Sequence, residues 1–115
     1  MWQALENGVS QVERTAGRFP QVAGLRFVWD LAQPPGSRIV SVEVLLEGVW
    51  RPLDRTATYR LATSNFLAAG GDGYTMFTEA KNAWNLGFVD YEVLAEYIQA
   101  HSPVSPKVEG RIIRK

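Results

Sequence analysis

The sequence predicts an α+β fold, in which a mainly antiparallel or mixed sheet has helices packed against it. Three observations lead to this class. Apolar residues near the N-terminus recur at helical spacing, and a second helical pattern lies near the C-terminus. Between them, short runs of β-forming residues are separated by turn residues, as in hairpin-connected strands. With 115 residues, the chain has the length of one domain, which we take as residues 1–115.

The first element is an amphipathic helix. Trp2, Leu5, Val9 and Val12 follow one another at spacings of three, four and three, so they share one face. The helix should end near residues 15–17, where glycine interrupts the pattern. A connecting loop follows at residues 18–23.

Four strands are expected in the middle of the chain. They are an alternating strand at 25–31, an apolar strand at 39–46 that should be covered on both faces, a short edge strand at 49–51 and a strand at 58–64. The turn residues of 33–37 and 47–48 separate the first three. The last one leads into the segment Asn65–Tyr74.

For the C-terminal part, the sequence predicts one or two helical turns at 75–80, an irregular segment at 81–88 and then a longer helix. Asp90 is a suitable N-cap for this helix, and the prolines of residues 102–106 end it. Its apolar face consists of Val93, Leu94, Tyr97 and Ile98. A short strand at 108–113 closes the chain.

Composition excludes several classes of function. The twelve basic and twelve acidic residues cancel. The chain therefore lacks the excess of basic residues that would indicate nucleic acid or an anionic membrane as a partner. No apolar run reaches the length of a membrane span, and no targeting signal is recognisable at the start. Without cysteine and with His101 as the one histidine, the chain has no residues for a multi-histidine metal site or a histidine triad. We therefore expect no catalytic and no metal-binding residue here.

The segment Asn65–Tyr74 carries the candidate site. Gly70, Gly71 and Gly73 can adopt positive φ and let another group approach the backbone. Asp72 lies between them, and its carboxylate could accept hydrogen bonds from hydroxyl groups. Phe66, at the end of the preceding strand, offers a flat apolar face. These features suit a nucleoside, although Asp72 could instead cap the amides of its own turn.

The same residues resemble a known family. The run NFLAAGGDGY at 65–74 resembles the signature loop of the C-terminal, substrate-binding domain of the 5'-nucleotidase family. Three further motifs follow the same order: ALENGVS at 4–10, GRFPQVAG at 17–24 and VEGRI at 108–112. A lone GGDG would be weak evidence, but four ordered motifs over residues 4–112 are specific.

The resemblance implies roles for individual residues. Phe19 and Phe66 would sandwich the base, and Asp72 would accept hydrogen bonds from the ribose. From the residues alone, Phe19 is better explained as a core residue. The resemblance implies that Gly70, Gly71 and Gly73 shape the turn. Asn65 either pins the loop or touches the ligand.

The resemblance also implies what the chain lacks. In the family, a motif with asparagine, glycine and arginine precedes the first helix and holds the substrate phosphate. This chain has no such motif, so we expect it to be the later part of the domain only. Its remaining arginines, at turns and strand edges, are expected to be surface charges.

As a function, the resemblance implies the nucleotide-recognition portion of a metallophosphoesterase that hydrolyses nucleotides to nucleosides and phosphate. The divalent metals would belong to a separate N-terminal metallophosphatase domain, so this chain alone should be inactive. Family substrates include nucleotide sugars and cyclic nucleotides, and the family location is periplasmic or extracellular. The alternative is an interaction or structural module that keeps the fold without binding the ligand. An incompletely covered sheet could also let the chain form a homo-oligomer.

Overall fold

Four strands form one mixed sheet in the computed structural model, which describes every residue from Met1 to Lys115. They are β1 (Leu25–Trp29), β2 (Ile39–Leu46), β3 (Val49–Pro52) and β4 (Ile112–Arg114), in the order β3-β2-β1-β4. Both β1–β2 and β2–β3 are antiparallel, and β1–β4 is parallel. Three α-helices, α1 (Trp2–Val9), α2 (Asn65–Ala68) and α3 (Asp90–His101), and three short 3-10 helices, Val12–Arg14, Gly71–Gly73 and Thr75–Glu79, complete the fold. The predicted α+β class is confirmed.

The core lies between α1 and one face of the sheet. Leu5 and Val9 are four residues apart, so both point from the same side of α1 towards the sheet. The strand residues that meet them alternate along β1 and β2, as the period of a strand requires. The eight buried core residues are Leu5, Val9, Leu25, Phe27, Trp29, Ile39, Val42 and Val44.

The other face of the sheet is open, which corrects the expectation that β2 is covered on both sides. Leu45, whose side chain lies on this face, is 41% exposed. On this face, Arg26 and Glu43 lie opposite each other in the β1–β2 ladder and form an ion pair at 2.6 Å. The Arg26 guanidinium also lies 4.7 Å from the centre of the Trp50 ring. The apolar run of β2 predicted two covered faces, but the helix of this chain that packs on the sheet supplies only one.

Arg38 is buried, whereas the arginines of the chain were expected to be surface charges. Its guanidinium donates to the backbone carbonyl of Val9 at 2.7 Å, satisfying the C-terminal end of α1, and pairs with Glu13. Glu6 is also buried, and its carboxylate accepts from the amides of Arg38 and Ile39 at 2.8 and 3.0 Å. These polar contacts fasten α1 to the start of β2.

The predicted strand at 58–64 does not form. This segment is irregular, and most of its residues are exposed. Its Thr and Tyr residues have strand propensity, but propensity alone does not provide a neighbouring strand for the backbone hydrogen bonds. Phe66 consequently follows no strand and lies within the short helix α2.

Helix α3 forms where it was expected but is exposed along its whole length. It begins at Asp90, whose carboxylate accepts from the Tyr91 amide at 2.7 Å, while Val89 is the N-cap position that had been expected at Asp90. Every residue of α3 is exposed, including its apolar face. Of the two longer helices, α1 packs on the sheet, while α3 is exposed along its whole length. None of the helices has the length and apolar character needed to cross a bilayer.

Candidate functional site

The segment Asn65–Tyr74 begins with one turn of helix. Ser64 caps α2, because its hydroxyl accepts from the Leu67 amide at 3.3 Å. The Asn65 side-chain oxygen accepts from the Phe66 amide at 2.9 Å, and the Asn65 backbone carbonyl accepts from Ala69. Both contacts of Asn65 lie within the segment itself.

The three glycines serve two different purposes. Gly70 and Gly73 have φ of 91° and 79°, a region that residues with a Cβ rarely adopt. Gly71 has no such φ, but a Cβ on it would lie 2.5 Å from Cζ of Phe66. Its missing side chain thus leaves room for the phenyl ring. Asp72 itself has φ of 52°, so the left-handed backbone extends through the acidic residue.

The two phenylalanines have different surroundings. Phe66 is 57% exposed, with its ring against Gly71. Phe19 is half-buried and packs edge-on against Trp29, with ring centres 6.1 Å apart. The aromatic pairs of the structure join Phe19 to Trp29 and do not include Phe19 with Phe66.

The end of α1 is the place where the two site segments meet. A Cβ on Gly8 would lie 2.6 Å from Pro20 and 3.0 Å from the Tyr74 hydroxyl, so this glycine allows both to approach the helix. The Tyr74 hydroxyl donates to the backbone carbonyl of Arg18 at 2.6 Å. The structure thereby joins the residue before Phe19 to the loop that carries Asp72.

Asn7 makes a second connection between these segments. Its amide nitrogen donates to the Asp72 carbonyl at 3.0 Å, and its amide oxygen accepts from Nη1 of Arg18 at 3.2 Å. Asn7, Arg18 and Tyr74 are not among the site residues predicted from the sequence. The available signal was the pair Asn7-Gly8, two poor helix formers within an otherwise helical pattern.

The Asp72 carboxylate is exposed, and Asp72 enters the side-chain hydrogen bonds of this region through its backbone carbonyl alone. One carboxylate oxygen lies 4.0 Å from where a Cβ on Gly17 would be, so it faces the segment before Phe19. Burial raises the pKa of Tyr74, the Asp72 charge raises it further, and Arg18 opposes them. The arrangement offers an acceptor for hydroxyl groups beside the exposed ring of Phe66.

Other polar groups lie outside this site. His101 ends α3, where its Nδ1 lies 2.8 Å from the Tyr97 carbonyl. No group of three His, Cys, Asp or Glu side chains has the arrangement of a metal site. A groove of about 600 Å³ is lined by Trp2, Arg55 and neighbouring residues, but it includes none of the candidate site residues. Its Arg55 is engaged with the Trp2 ring at 4.8 Å.

Comparison with known proteins gives a consistent result. The family model described as "5'-nucleotidase, C-terminal domain" matches residues 1–79. The trifunctional nucleotide phosphoesterase protein YfkN of Bacillus subtilis is 47% identical over 112 residues, which are 96% of this chain and 8% of that protein. A snake venom 5'-nucleotidase of Macrovipera lebetinus is 39% identical over 114 residues, covering 96% of this chain and 28% of the enzyme.

A solved structure agrees with these relatives. The 5'-nucleotidase precursor from Thermus thermophilus superposes with a TM-score of 0.93 at 50% sequence identity, over 97% of this chain and 22% of that one. The chain thus spans less than a third of the length of each of these proteins. The matched family model, the relatives and the shared fold show that the chain belongs to the 5'-nucleotidase family, where it corresponds to the C-terminal domain.

Proposed function

We propose that this chain is the part of a longer 5'-nucleotidase that binds the nucleoside portion of the nucleotide. The observation that carries the proposal is the junction at the end of α1. There, Asn7 and Tyr74 join the Phe19 segment to the loop of Phe66 and Asp72, while the Asp72 carboxylate stays exposed.

In this proposal, Phe19 and Phe66 form the two walls for the base, and Asp72 accepts hydrogen bonds from the ribose hydroxyls. Base stacking contributes about 1–3 kcal/mol per base. A hydrogen bond to a charged group contributes about 1.5–3 kcal/mol, and the lost freedom of the ligand offsets much of the sum. The expected dissociation constant for adenosine is therefore on the order of 1 mM.

The chemistry belongs to the longer protein in this proposal. An N-terminal metallophosphatase domain with divalent metals would hydrolyse the nucleotide to nucleoside and phosphate. This chain, the later part of the substrate-binding domain, would orient the substrate, so its contribution is proximity. The greater length of the matched relatives supports this division. A periplasmic or extracellular location is supported by relatives named as a venom enzyme and as a precursor.

The alternative is an interaction or structural module without ligand binding. The specific observation in its favour is Phe19, which is half-buried and already packs against Trp29. A ring held in the core offers less of its face to a base than the exposed ring of Phe66.

The test is a titration of the isotope-labelled chain with adenosine, followed by amide chemical shifts. We expect shifts confined to residues 17–21 and 65–74. Phe66→Ala should abolish most of them, because one wall for the base is lost. Phe88→Ala is the matched control, since Phe88 is also exposed but lies outside the site.

Two outcomes would contradict the proposal. One is the absence of shifts in these residues at several times the expected dissociation constant, which would favour the interaction module. The other is an equal loss of binding in Phe66→Ala and Phe88→Ala.

Adenosine monophosphate should bind about as weakly as adenosine, because the residues assigned to the site include no phosphate-binding group.

A further inference from the structure

We propose that Asn7 is a positioning residue for nucleoside recognition, which sets the backbone of Asp72 and thereby the direction of its carboxylate. The inference rests on the proposed function, because the carboxylate matters only if it meets a ribose. It concerns a residue of α1 that acts through Asp72 and needs no contact with the ligand.

The backbone of Asp72 is left-handed, with φ and ψ of 52° and 27°. Residues with a Cβ occupy this left-handed region infrequently, and aspartate is among those that tolerate it. The flanking Gly71 and Gly73 allow many conformations, so they do not select this one. The turn around Asp72 is closed by the Tyr74 amide, which donates to the Gly71 carbonyl at 3.1 Å, and this bond leaves the Asp72 carbonyl free for a contact from outside the loop.

Asn7 supplies that contact. Its amide nitrogen donates to the Asp72 carbonyl at 3.0 Å, across 65 positions of sequence. The orientation of the amide is also determined, because its oxygen accepts from Nη1 of Arg18 at 3.2 Å. With the oxygen directed at a guanidinium donor, the nitrogen is left facing the Asp72 carbonyl.

The amide fits closely against the loop. A Cβ on Gly73 would lie 2.8 Å from the Asn7 side-chain oxygen and 3.2 Å from Nη1 of Arg18. Gly73 therefore provides the space in which Asn7 and Arg18 reach the loop backbone. Loss of the Asn7 donor would free the Asp72 peptide to rotate, and the carboxylate would rotate with it.

The consequence is selective. Rotation of Asp72 would remove the hydrogen bonds to ribose hydroxyls but leave the Phe66 ring in place against Gly71. Asn7 should therefore control the preference of the chain for a nucleoside over a free base. A residue that merely stabilises the fold would weaken both ligands alike.

Asn7→Asp is the informative variant. Aspartate has nearly the same shape and still accepts from Arg18, but it has no amide hydrogen to donate to Asp72. Gln3→Ala is the control, since Gln3 is an exposed residue of the same helix. Asn7→Ala, which adds no charge, serves as the second variant should Asn7→Asp fail to fold by circular dichroism.

The first readout needs no ligand. The one-bond Cα–Hα coupling of Asp72, which differs between positive and negative φ, is measured in the labelled chain. We expect positive φ in the unaltered chain and in Gln3→Ala, and its loss or averaging in Asn7→Asp. Retention of positive φ in both Asn7 variants would overturn the inference.

The second readout compares adenosine with adenine. We expect the dissociation constant of adenosine to rise about fivefold in Asn7→Asp, the size of one lost hydrogen bond, and that of adenine to change by less than about twofold. Equal weakening of both ligands would reduce Asn7 to a stabilising residue and overturn the inference. If the unaltered chain binds neither ligand, the proposed function fails, while the Asp72 coupling still decides whether Asn7 sets that backbone.

Discussion

Tyr74 joins the two segments of the candidate site through one phenol. Its side chain is buried, its hydroxyl donates to the Arg18 carbonyl at 2.6 Å, and its ring stacks on Phe77 with centres 5.3 Å apart. Burial is the first cause that raises the pKa of Tyr74, so the neutral hydroxyl is the favoured form in the folded chain.

This residue predicts a pH-dependent substitution. Tyr74→Phe should lower the free energy of unfolding at neutral pH by about 1 kcal/mol, because the hydrogen bond to Arg18 is lost. The folded pKa lies above the unfolded value of about 10, so the contribution is complete below that pH and disappears as pH rises through the folded pKa. The difference between the two proteins should therefore shrink in alkaline solution.

Urea unfolding of both proteins, at neutral pH and above pH ~10, measures this difference. Tyr91→Phe is the control, since Tyr91 is 68% exposed and donates no comparable hydrogen bond. A difference between unaltered chain and Tyr74→Phe that stays constant with pH would show that the hydroxyl does not act in this way.

The sequence predicted the glycines and Asp72 of the loop because their conformational roles are local. Glycine permits positive φ, and the structure has it at Gly70 and Gly73 but not at Gly71. The partners of Asn7 and Tyr74 could not be predicted in the same way. Their contacts cross 65 and 56 positions, and no local pattern reports such a distance.

At the scale of elements, α1 and β2 are joined by a buried carboxylate. Glu6 accepts from two backbone amides, those of Arg38 and Ile39, at the point where β2 begins. Strand residues at this point and helix residues near Glu6 both contribute to the core. The position of α1 on the sheet therefore depends on polar contacts as well as on apolar packing.

Glu6→Gln should lower the free energy of unfolding by about 1–3 kcal/mol, because the amide offers one acceptor to two buried donors. Glu43→Gln is the matched control on the open face of the sheet, where the Arg26–Glu43 pair is accessible to water and should matter less. Urea unfolding at neutral pH gives both values. A loss in Glu43→Gln as large as that in Glu6→Gln would contradict the role given to the buried carboxylate.

The elements also show which sequence patterns are sufficient. The turn Glu47-Gly48 was predicted, and both residues have positive φ, which suits the tight hairpin between β2 and β3. The strand predicted at 58–64 failed because a strand needs a partner that its own residues cannot specify. The spacing of apolar residues correctly predicted helix α3, but this spacing does not indicate which surface covers the apolar face of the helix.

At the scale of the whole molecule, every residue from 78 to 110 is exposed. The stretch includes large apolar side chains, among them Trp84 at 79% and Phe88 at 77% exposure. Together with the open face of the sheet, this stretch exposes more apolar side chains than the singly scattered ones that are normal on a protein surface.

We predict that the isolated chain self-associates at high concentration through this surface. Leu94→Lys should reduce the association, because it places a charge on the apolar face of α3. Glu96→Gln alters the net charge by the same amount but lies outside that face, so it should leave the association unchanged. Sedimentation velocity over a concentration series measures the effect.

A single monomeric boundary at all concentrations would contradict this prediction. It would show that the chain keeps its exposed apolar residues in water without a partner. Association that Leu94→Lys and Glu96→Gln reduce equally would place the contact elsewhere, for example along the open sheet face.

The path of the chain to β4 has a consequence for dissection of the protein. β4 pairs with β1 in parallel through three residue pairs, and the chain reaches it only after the exposed stretch 78–110. One proteolytic cut within that stretch would leave a large piece with α1, β1–β3 and the site loop, and a small piece ending in β4. The two pieces would meet as separate molecules, so the last strand would become a peptide that can be added, withheld or replaced by a labelled copy.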